Sequence, residues 1–255
     1  MHQLKINMIN IFPITNIYEK PQDSSKLSSQ MLYGEKFSVI TKNKNWLKIK
    51  TNFDNYTGFI KNKKFLENFQ PNYKVSKIKS RIFKKIDNKF KPTKKFLYFA
   101  SKIETRNIYK NFLEYEKNKW IKKSDLKKIN HKEKKISKVI KLFLDTKYLW
   151  GGKSAYGIDC SALIQIYYYY NNSFFERDTK DQIKSIKTIP NKKIYDRKQL
   201  IFWKGHVAYC LNKKYLIHAY GPKKKVLIME IKKTINEIEK KSKLTVKGVR
   251  KLNVI

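Results

Sequence analysis

Asp159 and Cys160 stand directly before a run whose apolar positions, Cys160, Leu163, Ile164, Tyr167 and Tyr168, recur at helical spacing. Gly157 supplies a turn and Asp159 a cap, so Cys160 is expected in the first helical turn. The positive end of a helix dipole stabilises a thiolate, and this position is expected to lower the thiol pKa. A cysteine in an apolar helix is commonly just a buried small residue. The start position and the flanking turn argue instead for a nucleophile, which needs a base.

Two candidate bases follow. Residues 200–211 read as a strand carrying His206, and Tyr215 to Tyr220 as its hairpin partner carrying His218. If the loop is Asn212-Lys213-Lys214, Leu211 pairs with Tyr215 and Ala208 lies opposite His218. His206 is then the diagonal neighbour of His218 on one sheet face, at roughly 7–8 Å between backbones, within reach of long side chains. A loop one residue longer or shorter would turn one imidazole to the other face. Cys210, between Tyr209 and Leu211, reads as structural, and His2 and His131 as carrying no role. The few histidines and cysteines show no CxxC or HxxxH spacing, so neither a metal nor another cofactor is expected.

These side chains need a scaffold. From Glu133, Ile136, Val139, Ile140 and Phe143 mark an amphipathic helix that opens the catalytic region. Val226 to Met229 reads as a strand, followed by a lysine-rich segment and a closing strand over 246–250. Upstream, residues 12–68 read as short strands: 31–40, then the turn 42–45, the alternating 46–50, and 56–60. Pro71 marks a linker. Residues 80–83, 96–101 and 119–121 repeat the theme, with Trp120-Ile121 matching Phe59-Ile60; an irregular linker is the competing reading.

Tyr148-x-Trp150-Gly151-Gly152, Asp159-Cys160-Ser161, Gly205-His206-Val207 and Ile217-His218-Ala219 resemble, in that order, the signature of the NlpC/P60 cysteine peptidases over roughly residues 133–250. The usual glycine after Asp-Cys-Ser is Ala162 here, which is small and helix-favouring. Residues 29–35, Trp46 and Tyr56-x-Gly58-Phe59-Ile60 resemble a bacterial SH3 domain. The resemblance implies an α+β fold. A papain-like catalytic domain over 131–255 would follow an SH3-like β-barrel over 1–70 and a second, degraded one over 71–130. It also implies hydrolysis of the γ-D-glutamyl–diamino acid bond of murein peptides, with Cys160 as nucleophile, His206 as base and His218 orienting His206. The Cys160 N–H and Tyr148 would hold the oxyanion.

Arg177-Asp178-Thr179-x-x-Gln182 resembles the Arg-Asp-Ser-x-x-Gln element of members that cleave murein peptides, with Thr179 in place of serine. By that resemblance Asp159, Ser161, Arg177 and Asp178 would line a subsite for a free N-terminal L-Ala, with Tyr56 as a wall from the first barrel. Asp159 could equally do no more than cap its helix, and Arg177 and Asp178 could be a surface pair.

Formal charge is +39, from 59 Lys+Arg against 20 Asp+Glu. The excess is lysine spread along the chain, and Asn, Ile, Tyr and Phe are also abundant. A/T-rich codons account for that pattern; affinity for anionic wall polymer or nucleic acid is the alternative. No nucleic-acid motif and no apolar run of about 18 residues is present, so neither specific nucleic-acid binding nor a membrane span is expected. The N-terminal residues do not read as a signal peptide, and a reducing compartment suits a catalytic thiol, so a cytoplasmic location is expected. An exported autolysin acting on intact murein and a non-catalytic wall-binding protein are the competing functions. No oligomeric state is implied.

Overall fold

The computed structural model describes residues 7–188 and 195–252. His2 lies outside them. The described chain forms two compact units: residues 7–131 with Lys153–Ala155, and residues 132–152 with 156–252.

The first unit is built of antiparallel sheet. Six strands lie in the spatial order Asn7–Ile9, Lys36–Lys42, Trp46–Thr51, Thr57–Lys61, Ile14–Tyr18, Leu27–Leu32. Along Trp46–Thr51 burial alternates once the strand is under way, which puts Leu47 and Ile49 into a core with Ile17, Met31, Phe37 and Ile60. A five-stranded sheet follows, containing the hairpin of Lys79–Ile86 and Lys89–Tyr98. Its two-residue turn has Asp87 at φ 48° and Asn88 at φ 59°, the left-handed pair that a tight hairpin needs and that short polar side chains tolerate. Ile9, Tyr33 and Phe69 share one apolar cluster with Val75, Leu97, Leu113 and Ile121, so the early and late strands of this unit close on a common core. In the same unit, the buried Lys153 ammonium pairs with Glu35 at 2.8 Å, and the Lys153 N–H donates to Gln30 Oε1 at 2.9 Å. Lys74 Nζ donates to the His131 carbonyl at 2.6 Å.

The second unit surrounds a five-stranded antiparallel sheet in the order Lys225–Glu230, Tyr215–Tyr220, His206–Cys210, Gln199–Trp203, Gly248–Lys251. Helices α1 (Ile136–Lys141), α2 (Cys160–Tyr170), α3 (Thr179–Ser185) and α4 (Ile231–Ser242) complete it. Every residue of α2 is buried, as expected of a helix apolar on nearly all sides. It packs against α1 and against the two strands that carry the histidines. In α4 only Ile231, Thr234 and Ile238 are buried; this one-faced helix is the lysine-rich segment, for which the sequence suggested no element. Among the described residues, no helix is long and apolar enough to cross a membrane.

Two expectations need correction. The single strand over 200–211 is a hairpin, in which Trp203 pairs with His206 across Lys204 and Gly205. Gly205 sits at φ +73°, where a side chain is strained, and that conformation reverses the chain. The helix from Glu133 is shorter than its apolar pattern: α1 ends at Lys141, and Phe143 is buried just beyond it.

Candidate active site

Asp159 has extended backbone (φ −96°, ψ 177°), and its Oδ1 accepts the Ala162 N–H at 2.8 Å, which starts α2 at Cys160. The thiol lies against residues 205–207. It donates weakly to the Gly205 carbonyl at 3.8 Å and accepts the Val207 and Ser161 N–H groups. It therefore touches the backbone on both sides of His206.

The hairpin that holds the histidines pairs Tyr209 with Ile217 and Cys210 with Leu216, and the Leu211 N–H donates to the Tyr215 carbonyl. Extended inward, this register sets Ala208 opposite His218 and His206 on its diagonal. Asn212 makes the loop by accepting the Lys214 and Tyr215 N–H groups at 2.8 Å each. His206 Nε2 and His218 Nδ1 are 2.9 Å apart. His218 is fully buried and stacks on Tyr220, with ring centroids 4.7 Å apart and planes 13° apart. Trp203 flanks His206 at 5.5 Å.

Burial sets the protonation states. It pushes the Cys160 thiol up to about 12, with Asp159 adding to the effect and the Val207 N–H opposing it. This corrects the expectation of a lowered thiol pKa: desolvation of the anion outweighs the helix dipole and the local donors. Burial lowers His206 to about 4 and takes His218 well below its ordinary value, with His206 contributing. At neutral pH the resting site is a neutral thiol beside two neutral imidazoles.

Asp159 does more than cap. Its Oδ1 also accepts from Ser161 Oγ at 3.1 Å and Arg177 Nη1 at 3.1 Å, and its Oδ2 from the Gly151 N–H at 3.0 Å and Arg177 Nη2 at 2.6 Å. Arg177 Nη1 donates in turn to Ser161 Oγ at 2.8 Å. Five donors saturate the carboxylate, so this buried network belongs to the scaffold of the nucleophile. Gln182, which the sequence marked only as part of a motif, locks α3 to α2: its Nε2 donates to the Ser161 carbonyl at 3.0 Å and the Glu176 carbonyl at 2.9 Å.

Removing Arg177 would strand a buried carboxylate. The Arg177→Met variant is expected to lose roughly 3–5 kcal/mol of stability, read from the denaturant midpoint; a loss below about 1 kcal/mol would place the pair among ordinary surface contacts.

Asp178 differs from its neighbour. It is half-buried at the start of α3, its carboxylate makes no capping bond, and burial raises its pKa against the pull of Arg177 and Lys180. Tyr148 is partly buried near Cys160; burial, then the Cys160 and Asp159 charges, raise its pKa. Tyr56 belongs to the first unit, where its hydroxyl donates to the Ser28 carbonyl at 3.4 Å. Cys210 is fully buried in the sheet core, and its thiol is pushed up to about 12 by burial. No His, Cys, Asp or Glu group among the described residues is arranged to hold a metal ion.

Residues 145–242 match the NlpC/P60 family, and residues 17–65 match the bacterial dipeptidyl-peptidase SH3 domain. Dipeptidyl-peptidase 6 of Lysinibacillus sphaericus is 26% identical over 243 residues, covering 84% of this chain and 88% of that protein. The gamma-D-glutamyl-L-lysine dipeptidyl-peptidase of Bacillus subtilis is 25% identical over 238 residues, covering 84% and 79%. The crystal structure of an NlpC/P60 family protein from Bacillus cereus superposes with a TM-score of 0.80 at 18% identity, covering 96% of this chain and 99% of that one. The matched segment contains the capped thiol of α2 and both histidines, and the chain is a cysteine peptidase with an NlpC/P60 domain behind a bacterial SH3 domain.

Proposed function

We propose that the enzyme hydrolyses the γ-D-glutamyl–diamino acid bond of short murein peptides that carry a free N-terminal L-Ala, in the cytoplasm, as part of cell-wall recycling. The observation that carries the reading is the thiol of α2 set against the turn of His206, whose Nε2 is bound to His218. With Nε2 engaged, Nδ1 is the His206 nitrogen left to serve the thiol. Cys160 Sγ attacks the scissile carbonyl as its proton passes to His206 Nδ1. The neutral resting pair makes this a coupled general-base step rather than attack by a standing thiolate. The oxyanion meets the Cys160 N–H, one of the first N–H groups of α2 and without an intrahelical acceptor, together with the Tyr148 hydroxyl. His206 then returns the proton to the leaving amine, and water hydrolyses the thioester.

Asp178 is the proposed receptor for the substrate's ammonium. Asp159, Ser161 and Arg177 serve the subsite by holding its floor. A half-buried carboxylate with its pKa raised by desolvation gains from an incoming cation. Capping the amine removes that charge and adds bulk, at a cost of roughly 3–5 kcal/mol, on the order of a hundredfold or more in rate. The name of the Bacillus subtilis relative makes L-lysine the first diamino acid to test. We also assign the five-stranded sheet of the first unit to a second, diverged SH3-like barrel.

The test compares L-Ala-γ-D-Glu-L-Lys, its N-acetyl form and intact sacculi by mass spectrometry of products. Fast cleavage of the free tripeptide, with at least hundredfold slower cleavage of the other two, is expected. Equal rates on free and acetylated peptide would favour a wall-degrading enzyme, and no cleavage of any would leave a binding protein.

A further inference from the structure

We infer that Met229 is a positioning residue for this reaction: its sulfur accepts the Nε2–H of His218 and thereby decides which nitrogens of the two histidines carry protons. The inference rests on the catalytic reading of Cys160, His206 and His218.

A histidine orienting a histidine poses a problem that a carboxylate or carboxamide partner does not. An imidazole is donor at one nitrogen and acceptor at the other, and either assignment satisfies a single bond between two rings. One proton lies between His206 Nε2 and His218 Nδ1, 2.9 Å apart. Suppose His206 supplies it. Its Nδ1 then carries an open lone pair, and the ring is a base. Suppose His218 supplies it. Then His206 carries its proton on Nδ1, which becomes a donor and cannot take the thiol proton. His218 is fully buried and His206 half-buried, and desolvation lowers the pKa of both rings, so the choice is real at neutral pH.

The tie is broken at the far side of His218. Its Nε2 lies 3.4 Å from Met229 Sδ. A thioether has lone pairs and no proton to give. It therefore favours the form of His218 with Nε2 protonated and Nδ1 open, which is the form that makes His206 a base. His218 is fully buried, so bulk water does not compete for Nε2, and the Tyr220 stack fixes the ring plane. The sheet puts Met229 there by register. His218 pairs with Leu227 and Leu216 with Met229, which makes Met229 the diagonal neighbour of His218 on the same face.

The experiment uses the full chain with 15N-labelled histidine. Long-range proton–nitrogen NMR reads the tautomers of His206 and His218 at neutral pH in wild type, Met229→Leu and Met229→Gln, alongside kcat and KM. Wild type should show both rings protonated at Nε2. Leucine keeps the size and removes the acceptor, so His218 should shift toward Nδ1–H. kcat should then fall roughly three- to tenfold, the scale of one neutral hydrogen bond, with KM unchanged. Glutamine, whose side-chain oxygen accepts, should restore both the tautomer and kcat. A wild-type His218 protonated at Nδ1 overturns the proposal. So does an unchanged tautomer in Met229→Leu, even if kcat falls, because that would be packing alone. Should Cys160→Ala and His206→Ala remain active, the catalytic reading fails separately, and the tautomer result still reports on Met229.

Discussion

Replacing Cys160 by alanine is expected to abolish peptide hydrolysis, a loss on the order of ten-thousandfold or more in kcat, while Cys210→Ala keeps most of the activity. The two thiols make a controlled comparison. Both are buried and both are pushed up to about 12. They differ in surroundings. Cys160 retains slight exposure, lies in the first turn of α2 and accepts two backbone N–H groups; Cys210 has no exposure and lies among Ile201, Ala208 and Leu216. Iodoacetamide should therefore modify Cys160 first, although slowly in absolute terms because the thiol rests neutral. Mass spectrometry of the alkylated chain and a progress curve for each variant check this. Earlier labelling of Cys210, with loss of activity tracking it, would move the nucleophile elsewhere.

Loss of His206 should be as damaging as loss of Cys160, and the double variant no worse than either single one, because the two act as a unit. His218→Ala should be equally or less damaging, with a loss of up to about ten-thousandfold, since an orienting partner is removed and the base stays. The pH dependence follows from burial. His206 is lowered to about 4, so the base stays unprotonated well below neutral. kcat/KM should be level from about pH 7 to about pH 5 and fall by half near pH 4. Stability should move over a wider range. An unfolded histidine takes up a proton near 6.5, while the two desolvated rings resist it until lower pH. The unfolded state then binds more protons, and stability is lost as pH falls below about 6.5. An acid limb of kcat/KM near 6.5, with the fold intact, would mean that His206 is not held neutral by burial.

Several parts of this site are legible in the amino-acid sequence because they depend on local rules. A capping aspartate ahead of a helical apolar run puts Cys160 at the first turn, and Ala162 N–H does bond Asp159. The period of two along a strand, together with a polar three-residue loop, places His206 on the diagonal of His218, and the pairing of Tyr209 with Ile217 keeps that register. The break at Lys204 and Gly205 is hidden, because a glycine inside an apolar run signals neither strand nor turn until its φ is known.

What the sequence determined alone was the order and spacing of the chemistry: a capped cysteine, then two histidines twelve positions apart on one hairpin. Tertiary structure decided the energetics. A helix start alone argues for a stabilised thiolate, yet α2 is buried over its whole length, and desolvation reverses the sign of the shift at Cys160. Arg177, eighteen residues from Asp159 in the chain, closes on it with two hydrogen bonds that no local rule foretells. The proton positions in the histidine pair depend on Met229, two strands from His206, which only the pairing of strands brings to His218. Caps and strand period act over a few residues and are written locally. Burial and the partner of a charge are set by segments distant in sequence, and they exist only once the chain has packed.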